Sequence, residues 1–251
     1  MSKGFDCATP LNAKKAALFS EQGFKFVGRY LAEVESWKRL TPTEANLITA
    51  AGLYIVSFFE RAASRAREGA DAGKEDGRLA LQLALEVGQP TGSAIYATVD
   101  YDAPITDFDQ IEAYMRAFDV EIVGYELGVY GSYSVVKAMY ERGVATKIMQ
   151  TYAWSRGNKF DPISIYQYEN DVIDNGVGID RDESNGDAGG WKVGMSIKQK
   201  AMLESGVANT IINTWLSSDW MKAQAAGAED QADYIHWLAN QLRVASGQPE
   251  E

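Results

Sequence analysis

Residues 94–103, AIYATVDYDA, join a run of strand-forming residues to two aspartates spaced i, i+2. Alternate residues of a strand point to the same face, so this spacing predicts that Asp100 and Asp102 leave one strand end side by side. The ends of parallel strands are where α/β folds carry their active sites. Paired carboxylates at such a position suit acid–base work on a glycosidic bond, metal binding or a salt bridge to an arginine.

Apolar segments of the same kind lie on both sides of this stretch, and helical patterns separate most of them. They are rich in Val, Ile, Tyr and Phe, as buried parallel strands are. The predicted strands are residues 4–6, 24–30, 53–60, 94–100, 125–130, 146–151, 164–168 and 177–180. Their alternation with helices predicts a mostly parallel sheet. The expected fold class is therefore α/β, a TIM-like (β/α) barrel with some helices reduced.

The sequence also contains helix boundary signals. Thr41, Pro42 and Glu44 combine an N-cap residue, a proline in the first turn and a capping-box glutamate. Helical spacing of apolar residues continues over 70–87, where Gly88 is suited to the C-terminal stop.

The pattern changes near residue 192, which predicts two parts. Residues 1–192 are expected to form the barrel, and the Asp-, Asn- and Gly-rich residues 181–194 read as a loop leading out of it. Residues 193–251 are expected to form a C-terminal helical extension, with helices over 197–216 and 231–244. This extension either packs on the barrel or acts as an interaction module.

Charge and hydropathy exclude several classes of partner. The net charge of -11 argues against nucleic acid and anionic membranes, since both need basic patches. No apolar run approaches the roughly 20 residues of a membrane helix, and no signal peptide is visible in MSKGFDCATP. The expected location is cytoplasmic as synthesised, with delivery to a wall target by phage lysis, a secretion system or cell lysis. The oligomeric state is left open.

The scarcity of cysteine and histidine narrows the chemistry. Cys7 is the one cysteine and His236 the one histidine, which excludes an internal disulfide, a Cys-rich zinc site and a HExxH motif. No metal and no cofactor are predicted. The chemistry must therefore rest mainly on Asp, Glu, Tyr, Gln, Asn and Arg.

Polar and aromatic residues stand at the end of nearly every predicted strand. The candidate catalytic carboxylates are Asp6, Glu60, Asp100, Asp102 and Asp180. The candidate substrate-binding residues are Arg29, Tyr30, Tyr130, Gln150, Tyr152, Trp154, Gln167 and Tyr168. Singly, each has a structural alternative, such as a helix cap, rim packing, or a pairing of Arg29 with Glu60 or Asp6. Together, at one barrel mouth, they predict an acidic cleft with aromatic platforms, a mixture suited to sugar rings.

Several motifs, in this order, resemble the glycoside-hydrolase-like domain known as DUF1906 or Rv2525c-like, which is similar to the family 25 lysozymes. The resemblance covers roughly residues 3–191. It rests on GFDCATP, FVGRYL, YIVSFFE, the G-x3-G-x3-G run over 69–77, IYATVDYDA, LGVYGSY, QTYAWS, IYQYEN and GIDRDESN.

The resemblance implies a lysozyme-like reaction on bacterial peptidoglycan. It would make Asp102 the general acid and Asp100 the carboxylate that stabilises or attacks at the anomeric carbon, with Asp6 and Asp180 orienting the sugar. The lysozymes carry glutamate at the position of Asp102, so the acid here is one methylene shorter. Glu60 is a second candidate acid with a longer reach.

Three functions therefore compete. The first is a glycoside hydrolase acting on peptidoglycan, the second a non-catalytic glycan-binding module on the same scaffold, and the third a metal-dependent hydrolase that uses the carboxylates with Mg²⁺ or Ca²⁺. Fold analogy alone does not decide among them.

Overall fold

The computed structural model of the chain describes residues 1–196 and 203–249. Eight strands close into one barrel in which spatial neighbours are also neighbours in sequence. The strands are β1 (Ser2–Asp6), β2 (Phe26–Leu31), β3 (Tyr54–Phe59), β4 (Ala94–Thr98), β5 (Glu126–Gly131), β6 (Lys147–Thr151), β7 (Ile165–Asp174) and β8 (Val177–Ser184). The helices between them are α1 (Ala13–Glu21), α2 (Pro42–Ala50), α3 (Ala70–Glu86), α4 (Phe108–Glu121) and α5 (Tyr133–Glu141). The predicted TIM-like α/β barrel is thus confirmed.

The last strand departs from the parallel pattern. Strands β1 to β7 pair in parallel, whereas β8 pairs antiparallel with both β7 and β1. Asn175 and Gly176 have positive φ values of 50 and 67° and form the two-residue turn of a hairpin, which needs no crossover helix. The loop predicted to begin at residue 181 is wrong in its first four residues, since β8 continues to Ser184.

Two apolar layers follow from the alternation of side chains along the strands. Phe26, Phe58, Tyr96, Tyr130 and Met149 belong to the cluster that fills the barrel interior. The intervening strand residues join the helices in a larger outer cluster. The barrel interior is therefore a packed apolar core, and the carboxyl groups at its mouth lie at the end where β1 to β7 finish.

The glycine run over 69–77 has a packing role. A Cβ at Gly73 would lie 2.1 Å from the carbonyl oxygen of Tyr114, and one at Gly77 would lie 2.7 Å from that of Phe118. Both clashes are with the backbone of α4, so any side chain would force α3 away from α4. The spacing of four places both glycines on one face of α3.

The chain divides into two compact units, Met1–Ile197 and Lys198–Glu251. The second contains α6 (Ser205–Ile211), a π-helical turn (Ile212–Leu216), α7 (Ser217–Ala225) and α8 (Glu229–Ala245). Residues 197–202 of the predicted helix over 197–216 lie outside the described residues, and the predicted helix over 231–244 lies within α8. No described helix is both long enough and apolar enough to cross a bilayer.

Candidate active site

One hydrogen-bond chain runs across the barrel mouth and links side chains from five strands or strand ends. The Tyr130 hydroxyl lies 3.4 Å from Asp100 Oδ1 and 3.2 Å from Gln167 Oε1. The Gln167 amide Nε2 donates to Asp6 Oδ2 at 2.7 Å and to Asp180 Oδ2 at 3.3 Å. The structure therefore brings together three of the predicted carboxylates and two of the predicted binding residues.

Burial disfavours negative charge on the carboxyl groups of this hydrogen-bond chain. Burial raises the pKa of Asp6 well above its ordinary value, and the charge of Asp180 raises it further. Burial also raises the pKa of Asp100, to which the neighbouring carboxylate of Glu60 adds, while the Tyr130 hydroxyl acts in the opposite direction. The mouth can therefore hold protons on carboxyl groups nearer to neutral pH than free aspartates do.

Asp180 lies on a strand that runs in the opposite direction to the one predicted. Because β8 is antiparallel, Asp180 lies towards its beginning, where it pairs in register with Asp6. Its Oδ1 accepts a hydrogen bond of 2.8 Å from the Asp171 backbone. The expectation that Asp180 ends its strand is wrong, although the side chain arrives at the same mouth.

A fourth carboxylate, Asp182, lies deeper in the barrel and was absent from the predicted set. It is fully buried, and in register it pairs with Gly4 on one side and Gln167 on the other. Neither carboxylate oxygen has a hydrogen-bond partner within the described residues. Burial raises the pKa of Asp182 well above its ordinary value, and the charges of Asp6 and Asp180 raise it further. The sequence does indicate this residue, because Asp180 and Asp182 repeat the i, i+2 spacing that places two side chains on one face of a strand.

We expect Asp182→Asn to flatten the pH dependence of stability. A carboxyl group with a raised pKa keeps its proton in the folded state after the unfolded chain has lost it, above pH about 3.9. Stability therefore falls as pH rises from that value towards the raised pKa, by up to about 1.4 kcal/mol per pH unit for each proton. Urea denaturation of the wild type and variant between pH 5 and 8 measures the two slopes.

A matched control separates this effect from a general change of charge. Asp71→Asn removes the same charge at an exposed position of α3 and should keep the wild-type slope. An unchanged slope in Asp182→Asn would show that this carboxyl group does not titrate between the folded and unfolded states as argued.

The other two predicted acids are engaged in ion pairs at the rim. Strand β4 ends at Thr98 and the chain turns at residues 101–103, so the period-two argument does not extend to Asp102. Its carboxylate is 55% exposed and lies 3.9 Å from Arg156. Glu60 Oε1 accepts from Lys38 Nζ at 2.9 Å.

Arg29 does not line the mouth, which corrects the predicted binding role. Its side chain is fully buried between the barrel wall and α2, where Nε donates to Glu44 Oε1 at 2.8 Å and an Nη atom donates to Oε2 at 3.1 Å. It also donates to the Cys7 and Ala8 carbonyl oxygens. As a residue of alternating β2, it points outward while Gly28 and Tyr30 point inward. Arg29 thus fixes the segment that follows Asp6.

Gln150 is likewise a positioning residue, although it was predicted to bind substrate. It is fully buried, donates to the Asn158 carbonyl oxygen at 2.8 Å and accepts from the Phe160 backbone at 2.8 Å. Both bonds hold the loop that carries Trp154. The side chain points away from the mouth because its neighbour Met149 occupies the barrel interior.

The four predicted aromatic residues other than Tyr130 divide into three groups. Tyr30 is half-buried at the mouth, packs edge-on to Phe58 and lies under Lys38 Nζ, which is 4.5 Å from its ring centroid. Tyr152 and Trp154 are exposed on the loop that follows β6. Tyr168 is exposed on the outer face of β7, opposite to Gln167, so it does not line the interior.

Among the described residues, the carboxylates do not assemble into a metal site. Within residues 1–196 and 203–249 no three side chains of His, Cys, Asp or Glu are grouped as metal ligands. The metal-dependent alternative therefore has no ligand group in this part of the chain.

The barrel and its carboxyl-lined mouth define a protein of the glycoside-hydrolase-like class. The sequence profile of the Rv2525c-like, glycoside hydrolase-like domain matches residues 17–184. The chain belongs to that family, as the motifs of the sequence predicted.

Two relatives with known sequences show the extent of the similarity. The FadG protein of Bacillus subtilis (strain 168) is 27% identical over 152 residues, and Rv2525c of Mycobacterium tuberculosis H37Rv, named as a candidate peptidoglycan hydrolase, is 27% identical over 150 residues. The matches cover 56% and 57% of this chain, but only 26% of FadG and 62% of Rv2525c. The chain thus spans only part of the length of these relatives.

Solved structures confirm the fold. The crystal structure of Rv2525c from Mycobacterium tuberculosis has a TM-score of 0.68 at 23% identity, over 76% of this chain and 98% of that one. A family 25 glycosyl hydrolase of Streptococcus pneumoniae has a TM-score of 0.52 at 11% identity, over 74% of this chain and 87% of that one.

Proposed function

We propose that the chain is a glycoside hydrolase that cleaves the glycan of bacterial peptidoglycan. The observation that carries the proposal is the hydrogen-bond chain from Asp100 through Tyr130 and Gln167 to Asp6 and Asp180, which holds carboxyl groups with raised pKa values at an open barrel mouth. Glycosidases need one carboxyl group that keeps a proton and a second carboxylate that stabilises or attacks. The name of the relative Rv2525c is consistent with the same substrate.

The geometry favours Asp100 as the proton donor. It is partly buried and lies near Glu60, and both effects favour its protonated form, whereas the hydrogen bond from the Tyr130 hydroxyl acts against them. Asp102 is more exposed and sits at the rim, where it could serve as the base or nucleophile once a sugar displaces Arg156. This assignment reverses the one that the lysozyme resemblance implies, and variants can distinguish the two.

The test is release of new reducing ends from purified cell-wall glycan by the full chain. We expect turnover that disappears on heat denaturation and that EDTA does not affect. If the wild type and Asp100→Asn release equally little from walls of several peptidoglycan types, the hydrolase proposal fails.

Two ion pairs favour a second candidate, a glycan-binding module without turnover. Glu60 is tied to Lys38 and Asp102 is close to Arg156, so both rim acids have cationic partners in the free protein. This alternative predicts saturable binding of wall glycan that Trp154→Ala weakens, with no product formed. Binding with product release would exclude it.

A wall substrate requires a route out of the cytoplasm. The relative Rv2525c is described as Tat-secreted. We infer that this chain also acts outside the cytoplasm, delivered by a secretion system, phage lysis or cell lysis. Fractionation of producing cells with and without lysis measures where the protein accumulates.

A further inference from the structure

A cleft beside the mouth contains a cationic and an aromatic side chain that take no part in the hydrogen-bond chain of carboxyl groups. It has a volume of about 430 Å³. Its walls are the segment after β4, the start of α5 and the loop after β6, which contribute Asp102, Tyr133, Trp154 and Arg156. In the described part of the chain, its lining holds one cation, Arg156, next to an exposed indole. Both belong to the segment 154–156, which we call the rim loop.

The rim loop is held in place by buried polar contacts. Ser155, the residue between Trp154 and Arg156 in the sequence, is buried. Its hydroxyl donates to the Thr151 carbonyl oxygen at 2.5 Å and accepts from the Tyr133 backbone N–H at 2.9 Å. Trp154 and Arg156 both adopt positive φ values, of 56 and 52°. Such values cost about 1–3 kcal/mol for a side-chain-bearing residue and persist where surrounding contacts impose them. These contacts therefore fix the backbone from which the indole and the guanidinium project.

The guanidinium of Arg156 is only weakly engaged. It is 82% exposed, and its contact with Asp102 is 3.9 Å long, the length of a loose surface ion pair. Exposed pairs of this kind add little to stability, so a ligand can replace Asp102 at little cost. A guanidinium binds a carboxylate through two parallel hydrogen bonds, which no neutral hydroxyl group matches.

We propose that Arg156 reads a carboxylate substituent of the sugar chain, while Trp154 supports the ring that bears it. The inference rests on the proposed function and names the residue that recognises the acid group of a muramic acid ring, which is the lactyl carboxylate where no peptide stem is attached. The same contact frees Asp102, because the substrate carboxylate takes its place on Arg156. Where a stem is attached, its amide bond removes the lactyl charge, and a carboxylate of the stem itself takes that place.

Matched oligosaccharides test the proposal. The probes are an N-acetylglucosamine hexamer, an alternating N-acetylglucosamine–N-acetylmuramic acid hexamer without stems, and the same chain bearing peptide stems. Kd is measured by isothermal titration calorimetry on the full chain in an Asp100→Asn background, which prevents turnover. We expect about tenfold or more tighter binding of a carboxylated hexamer than of the neutral one, and Arg156→Gln should abolish that preference while sparing the neutral hexamer. The two carboxylated probes show whether the lactyl group or the stem supplies the charge.

Control variants separate a specific contact from a change in net charge. Lys25→Gln removes one positive charge at the opposite end of the barrel and should leave the preference intact, and Arg156→Lys should retain part of it. Equal affinities for neutral and carboxylated hexamers, or a preference that survives Arg156→Gln, would overturn the inference. A preference that depends on Arg156 in a protein without turnover would instead refute only the hydrolase proposal.

Discussion

Replacing Asp100 by asparagine is expected to lower kcat for glycan hydrolysis by about 10³-fold, within the range that a positioned acid or base contributes. Asparagine keeps the size of the side chain and its contact with Tyr130, but it cannot transfer a proton. Because Asp100 is only partly buried, the fold should be retained, and near-UV circular dichroism checks this. Initial rates of reducing-end release, measured at saturating wall glycan, give the ratio of kcat values.

The role of Asp100 can be separated from that of Asp102 with activated substrates. An aryl glycoside with a good leaving group needs no acid, so it should restore most of the activity of Asp100→Asn and little of that of Asp102→Asn. Azide should act in the opposite way, because it replaces a missing nucleophile or base. The reverse pattern would make Asp102 the acid, as the lysozyme resemblance implies. Lys25→Gln, at the far end of the barrel, serves as the unaffected control.

Sequence patterning predicts the barrel well because most strands follow one local rule, a short apolar segment separated from the next by a helical pattern. Each apolar strand of the predicted set is present, and the carboxylates at positions 6, 100 and 180 do meet at one mouth. The exception is the strand after Asn175 and Gly176, which the two-residue turn makes antiparallel in a sheet predicted to be mostly parallel. A turn of two residues reverses the chain, so the alternation of Asp180 and Asp182 continues into the barrel interior.

The predicted binding residues are less reliable because a strand end has two faces. Their positions at strand ends place Arg29 and Gln150 near the mouth. The alternation of side chains along a strand, however, points both outward, away from the barrel interior. Gly28, next to Arg29, and Met149, next to Gln150, face the barrel interior. Because strand side chains alternate, their neighbours Arg29 and Gln150 must face outward. The prediction that Asp102 leaves the strand beside Asp100 is wrong for a different reason, since the turn after β4 cannot be read from spacing alone.

Breaking the buried ion pair of Arg29 and Glu44 should destabilise the barrel strongly. Glu44→Ala is expected to lower the free energy of unfolding by about 3–5 kcal/mol, because it leaves a fully buried guanidinium without its counter-charge. The Leu11 backbone also loses its acceptor, which is Glu44 Oε1 at 2.8 Å. Urea denaturation followed by near-UV circular dichroism measures the difference.

Two further variants test the physical reason for this effect. Glu141→Ala breaks an ion pair with Lys137 that is exposed on α5, and it should cost no more than about 0.5 kcal/mol. The double change Arg29→Met and Glu44→Leu removes both buried charges, so it should recover most of the stability lost in Glu44→Ala. Because Arg29 also holds the carbonyl oxygens after Asp6, the double variant should fold but bind glycan less tightly. A double variant as unstable as Glu44→Ala would show that packing, and not the unpaired charge, is what the single substitution disrupts.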